Sequence, residues 1–273
     1  MEINRNNIFD LLKKCDIHPS KDFGQNFLVD SKLCKKIVDS LNIGEGEKVL
    51  EIGPGLGSLT HFLLETSNKN INVVDVDPNM IAFLNVFYKE ACINIIENDI
   101  RKEDIFSYEK IIGNLPYNIT TELITYLLLN AKRCKKFVLM TQLEAYNRFS
   151  DTKGKEYGAI SVLVHMLGDT KKLFNVGKGS FVPSPKVDSI VFEINVSEGV
   201  NREEVISIYK LAKSLFLNRR KTLYNNLARH LGNKELAANL IEEMGLKPTV
   251  RPEELPPESF KKLYFLVKSV EKK

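Results

Sequence analysis

The 273-residue chain has no apolar run close to a bilayer-spanning length, which is ~20 residues, so no transmembrane helix is expected. Its first stretch, MEINRNNIFDLLKKCDIHPSKD, carries charges throughout and lacks an apolar h-region, which argues against a signal peptide. Cysteine is scarce: Cys15, Cys34, Cys92 and Cys134 are scattered and form no Cys-x-x-Cys pair. His18, His61, His165 and His230 make no zinc spacing with them. Reduced thiols, a cytoplasmic location, no structural metal and no membrane partner are therefore expected. Internal repeats and low-complexity tracts are lacking too. What remains is a globular composition, 43% hydrophobic, of a length comfortable for two domains.

Charge is unevenly placed. From residue 201 onward there are 15 Lys/Arg against 9 Asp/Glu, whereas the first 200 residues carry 24 against 26. Such asymmetry suggests that the C-terminal part faces a polyanion; a solvated helical face is the alternative. The pattern of elements changes near the same place. Strands are expected at 48–52, 71–77, 93–99, 110–114, 135–142, 171–176 and 189–196. Helices are expected from near Gly57 and at 78–87, 120–130 and 156–167, the third with Thr120 or Thr121 as N-cap. This alternation predicts an α/β fold with a parallel sheet, the last two strands forming a hairpin-like edge. Beyond Ser197 only helices are expected, at 201–217, 219–231, 234–244 and 258–269. Two domains follow, 1–197 and 198–273.

The segment Glu51-Ile52-Gly53-Pro54-Gly55-Leu56-Gly57 joins a strand to a helix at the carboxyl edge of the sheet, where such folds bind nucleotide-like ligands. Gly53 and Gly55 allow close approach of the backbone. Asp75, at the end of the second strand, can accept both ribose hydroxyl protons of an adenosine. The turn alone does not separate a dinucleotide site from one for S-adenosylmethionine. Its G-x-G-x-G spacing, unlike the pyrophosphate fingerprint G-x-G-x-x-G, tilts toward the latter. Asp77 competes as ribose ligand, although Pro78 makes it look like a helix start. Asn98-Asp99 ends the third strand, where Asp99 could accept from an adenine amine or simply form a turn.

IIGNLPYNITT (111–121) places an amide, an imide and a phenol directly after a core strand. An exocyclic aromatic amine is a poor nucleophile because its lone pair is delocalised. Two acceptors, the Asn114 side-chain oxygen and the Leu115 carbonyl, could hold both N–H protons and favour a pyramidal nitrogen. Pro116 sets the turn by locking φ, and Tyr117 offers a π-face to a base. Such a site acts by placement and electrostatics. A strand-end turn with a buried Tyr is the plainer alternative.

The set GQNFL within DFGQNFLVD (22–30), EIGPGLGSLT (51–60), VVDVD, END (97–99), GNLPYNI (113–119), EYGAISVL (156–163), FVPSPKVDSIV (181–191) and RRKTLYNNL (219–227) resembles the ribosomal RNA adenine N6-dimethyltransferases of the KsgA type. The resemblance runs from about Lys21 to Phe260. It implies a Rossmann-like class I methyltransferase with a mostly parallel seven-stranded sheet and a small all-α C-terminal domain that binds RNA. It implies cofactor contacts for S-adenosylmethionine at Asn26, Leu28, Gly53, Gly55, Asp75, Asp99 and Asn114. It implies, too, that Asn114 and Leu115 hold the target amine while Tyr117 and Phe181 sandwich the target adenine. Asp75 stands where Glu is common, one carbon shorter in reach, and Leu143 stands where a basic residue is usual.

Extruding a base from its stack favours loop or single-stranded RNA. Arg219, Arg220, Lys221 and Arg229, with Lys210 and Lys213 upstream, are candidates for phosphate contacts. The expectation is a monomeric enzyme that dimethylates two adjacent adenosines near the 3′ end of 16S rRNA, acts on an assembling small ribosomal subunit and so has a role in ribosome biogenesis. A 23S rRNA methyltransferase conferring antibiotic resistance, a non-catalytic assembly factor and a nicotinamide dehydrogenase are the alternatives.

Overall fold

Runs such as INVVD and KIIGN offer water no polar face, so their strands need cover on both sides. The computed structural model, which describes residues 2–20, 24–117 and 119–271, provides it. Asp22, Phe23 and Asn118, parts of two motifs above, and Lys21, where the resemblance begins, lie outside the described residues. The strands are β1 (Phe27–Leu28), β2 (Val49–Ile52), β3 (Ile71–Asp75), β4 (Ile93–Glu97), β5 (Lys110–Asn114), β6 (Lys136–Gln142), β7 (Gly168–Val176), β8 (Phe181–Val182) and β9 (Ser189–Val196). Seven of them form one sheet in the order β4-β3-β2-β5-β6-β9-β7. The pairs from β4 to β6 are parallel and β9 runs antiparallel to β6. β9 and β7 lie side by side at one edge, as expected of the last two strands.

Helices α1 (Ile8–Lys14), α2 (Ser31–Leu41), α3 (Ser58–Leu64), α4 (Pro78–Phe87) and α5 (Thr120–Asn130) follow in chain order. Cys34, Ile37 and Leu41 of α2, Leu59 and Leu63 of α3, and Met80 and Leu84 of α4 share one core with Val49, Val73, Ile112 and Val138 of the sheet. Asp77 caps α4, accepting from the Asn79 N–H at 2.9 Å, with Pro78 at the first helical position. The cap expected of Thr120 or Thr121 is not made. Ile119 occupies that position, and the Thr120 hydroxyl instead donates to the Pro116 carbonyl at 2.8 Å and meets the Thr141 hydroxyl.

The chain divides into two compact units, Met1–Tyr146 with Lys171–Asn195, and Asn147–Thr170 with Val196–Lys273. Helices α6 (Leu143–Ser150), α7 (Ala159–Leu167), α8 (Arg202–Leu215), α9 (Leu223–Leu231), α10 (Lys234–Glu243) and α11 (Pro257–Glu271) complete the chain. The second break falls beside the boundary expected at 197, but 147–170 clusters with the later helices. Tyr157 and Val162 share a core there with Leu211, Leu215 and Leu227, and the Phe216 and Phe260 rings stack at 5.5 Å. The helix expected from 219 starts at Leu223, because the Thr222 side chain caps it by accepting from the Asn225 N–H at 3.3 Å. Arg219, Arg220 and Lys221 thus occupy the turn between α8 and α9.

At the centre of the sheet, Gly113 of β5 faces Ile52 of β2. A Cβ there would sit 2.8 Å from the Ile52 carbonyl oxygen, which is backbone and cannot swing away. Gly113→Ala is therefore expected to push the two strands apart and to lower stability by about 1–3 kcal/mol, read as a lower urea midpoint.

Candidate active site

The carboxyl ends of β2, β3, β4 and β5 enclose a cavity of about 330 Å³, within the range of small-molecule sites. The segment from Gly24 to Leu28 forms one wall and Asn114 to Tyr117 another. β1 holds the first wall by pairing with β8, Phe27 opposite Val182 and Leu28 opposite Phe181. The buried Ser58 hydroxyl also donates to the Leu28 carbonyl at 2.7 Å. Gly53 turns the chain out of β2 with φ +64°, in the region other residues avoid. A Cβ there would meet nothing within 4 Å but the Asn114 carbonyl at 3.8 Å, so the glycine turn and the end of β5 adjoin.

Asn114 is the most informative side chain. Its Nδ2 donates to the Asn26 carbonyl at 3.2 Å. A carbonyl can only accept, so this bond fixes which end of the amide is oxygen. Oδ1 is buried and has no partner among the described residues. A buried acceptor without a donor costs ~1–3 kcal/mol, and such atoms call for an explanation. The next peptide is held in register by the Leu115 N–H, which donates to the Met140 carbonyl at 3.0 Å. The phenol of Tyr117 is 2.8 Å from the Ser189 hydroxyl, which anchors the ring to β9.

Three carboxyl groups line the cavity in different electrical states. Asp75 accepts from the Gly55 N–H at 3.2 Å and the Asp77 N–H at 3.0 Å, one bond on each oxygen. Burial raises its pKa above the ordinary value. Glu51 is 1% exposed and accepts from the Thr60 hydroxyl at 2.6 Å. Burial, with the charge of Asp75 adding to it, lifts its carboxyl to about 8. Asp99 goes the other way, lowered chiefly by its hydrogen bonds from Arg101. Asp77, the competing ribose candidate, is buried; besides capping α4 it accepts from the Gln25 amide at 2.7 Å.

Of the residues singled out from sequence, Asn26, Leu28, Gly53, Gly55, Asp75, Asp99, Asn114, Leu115, Pro116 and Tyr117 all line this one cavity. Phe181 does not. It is 2% exposed and packed in the core of the first unit, because pairing with Leu28 in the β1·β8 ribbon turns it into cover for that wall. The sandwich expected of Tyr117 and Phe181 is not assembled in this arrangement. Arg219, Arg220, Lys221 and Arg229 belong to the second unit and are exposed there. Arg219 donates to the Gly154 carbonyl at 3.2 Å and Arg229 to the Ser214 carbonyl at 3.3 Å. Gln25 and Glu51, which also line the wall, fall inside motifs quoted above but with no role given to them there, and Arg101, a further wall residue, falls in none.

The residues present fit an adenosine-bearing cofactor with an amino-acid tail. Asp75 could take ribose hydroxyls, Asp99 an adenine amine, and the bare backbone at Gly53 the tail. The Asn114 oxygen is left for a second ligand with N–H groups to donate.

Residues 18–268 match the family model for ribosomal RNA adenine dimethylases. The chain is 34% identical to the ribosomal RNA small subunit methyltransferase A of Malacoplasma penetrans, covering 95% of this chain and 96% of that protein. The protein of the same name from Mesomycoplasma hyopneumoniae is 35% identical, with 87% and 92% covered. Among solved structures, a dimethyladenosine transferase from Plasmodium falciparum superposes with a TM-score of 0.76 at 25% identity, over 89% of this chain and 98% of that one. The 23S rRNA methyltransferase ErmE shares the fold, with a TM-score of 0.69 at 19% identity over 89% and 100%.

Glu51 makes stability depend on pH. Below the ordinary carboxyl value of 4.5 both folded and unfolded chains hold the proton; from there to about 8 the folded chain keeps a proton that the unfolded chain loses. Stability of the ligand-free protein should therefore fall as pH rises across that window. Glu51→Gln is expected to flatten the slope and to stabilise the protein at pH 8 by on the order of 3 kcal/mol. Melting curves of both proteins at pH 5 and 8 test this.

Proposed function

Because this chain belongs to the ribosomal RNA adenine dimethylase family, we infer that its cavity carries out S-adenosylmethionine-dependent dimethylation of adenine N6 in ribosomal RNA. The observation that carries this reading is the buried, unpartnered Asn114 oxygen on the wall that adjoins the glycine turn. Bound S-adenosylmethionine supplies an electrophilic methyl group on a positively charged sulfur. Asp75 accepts from its ribose, Asp99 from its adenine amine, and the backbone and side chains of Asn26, Leu28, Gly53 and Gly55 shape the rest of its bed.

Asn114 Oδ1 and the Leu115 carbonyl accept the two N–H groups of the target amine. Held so, the nitrogen would give up some conjugation with its ring and become a better nucleophile toward a methyl donor. The excess proton becomes acidic only as the nitrogen gains positive charge, so placement and electrostatics suffice. Tyr117 presents its ring to the extruded base, and the bond to Ser189 keeps that ring from following the base out. Pro116 limits the freedom of the acceptor turn.

The relatives named for the small subunit support a small-subunit substrate for this chain. We propose two adjacent adenosines near the 3′ end of 16S rRNA, in an assembling subunit in the cytoplasm, with a single copy of the enzyme at work. The α8–α9 turn then offers Arg219, Arg220 and Lys221, and α9 offers Arg229, to RNA phosphates. Contacts of this kind set affinity and salt sensitivity more than sequence choice.

Asn114→Ala is expected to cut methyl transfer at least ~100-fold, while RNA binding stays within a few-fold. Unchanged transfer would remove Asn114 from the mechanism. Methyl incorporation into 30S particles from cells lacking the enzyme, but not into 23S RNA, is expected; the reverse would favour the large subunit. The double variant Arg219→Ala, Arg220→Ala should weaken RNA binding about equally across sequences and flatten the dependence of log affinity on log salt by about two.

A further inference from the structure

One side chain of the cavity wall has no part in the reading above. Arg101 lies in the 3-10 turn Ile100–Lys102, which Asp99 caps by accepting from the Arg101 N–H at 2.9 Å. The guanidinium then folds back on the same carboxylate. Nε is 3.0 and 3.1 Å from its two oxygens, and Nη2 is 2.6 Å from Oδ2. The third nitrogen, Nη1, reaches Glu122 Oε1 at 2.7 Å in the first turn of α5, just beyond the acceptor wall 114–117. Arg101 and Asp99 both line the cavity.

The geometry leaves little freedom to Asp99. A carboxylate offers about four acceptor positions, and three donors from Arg101 already occupy it. Whatever a ligand donates must use what is left, so the guanidinium decides where that acceptor points. Stability does not account for this clasp. The side chains of Arg101 and Glu122 are 40% and 63% exposed, and ion pairs that exposed contribute little. A planar fork is, however, the arrangement that holds a carboxylate in one orientation.

We propose that Arg101 is a positioning residue for the cofactor's adenine: it holds Asp99 in the orientation that receives the exocyclic amine, with Glu122 bracing it from α5. The proposal rests on the cofactor reading given above. It assigns Arg101 no contact with the target base and no share in the methyl transfer itself.

Calorimetric titration of the full chain with S-adenosylhomocysteine tests it, beginning with the wild type. No binding there would take down the cofactor reading, and this inference with it. Given binding, Arg101→Ala is expected to weaken it about ten-fold. The KM for S-adenosylmethionine should rise by a similar factor, with kcat within about two-fold. Arg101→Lys, which keeps the charge but not the fork, should recover part of the loss. S-inosylhomocysteine, which has an oxygen in place of the adenine amine, should bind wild type and Arg101→Ala equally. Glu122→Ala, which leaves the fork intact, should cost less than about three-fold. Equal or tighter S-adenosylhomocysteine binding by Arg101→Ala would overturn the proposal. So would an equal loss for both ligands, a kcat that falls as far as KM rises, or a Glu122→Ala loss as large as that of Arg101→Ala.

Discussion

A single carbonyl, that of Asn26, governs the chemistry available in the cavity. It can only accept, so the amide of Asn114 must turn its nitrogen toward it, and the oxygen is left over in a buried place. Two residues far apart in the chain thereby determine the polarity of the site. The bond in turn depends on how closely the two central strands approach. Gly113 lets β5 lie against Ile52 with no side chain between, which brings Asn114 level with the turn at Gly53. Without that closeness the same residues would be a strand end and a turn with nothing in common.

Much of this frame could be read from residue order. KIIGN, PNMIAFLNVF, TTELITYLLLN and SIVFEINV occupy the spans expected of them, the strands as short β-branched runs and the helices as longer apolar segments. The glycine turn, Asp75, Asp99 and the Asn114–Tyr117 wall converge as the alternation of strands and helices requires. What could not be read has physical reasons. β1 and β8 are two residues each, too short to show a period, and they exist only through each other. The family resemblance implies an aromatic platform at Phe181, whereas that pairing turns the ring inward. The helix expected at 219 begins four residues later because Thr222, rather than the arginines, supplies the cap. Helix α7 is apolar over most of its surface, so its sequence alone does not say which core it joins; it clusters with the later helices. Arg101 gives no signal, since its second partner lies on another element.

The carboxyl groups of the cavity form a graded set. Glu51 and Asp75 are pushed toward their protonated forms by burial, and Asp99 is kept ionised by a guanidinium. A cation bound beside Glu51 and Asp75 would draw both back toward their ionised forms.

The short ribbon of β1 and β8 has a consequence for synthesis of the protein. Leu28 is made early, yet the strand that pairs with it ends at Val182, two-thirds of the way along the chain. Closing so long a loop is a late event in folding. While the chain is still being translated, its amino-terminal wall therefore hangs without its partner, and no finished pocket exists. A growing copy still tethered to its own ribosome lacks this pairing until two-thirds of its length has been made.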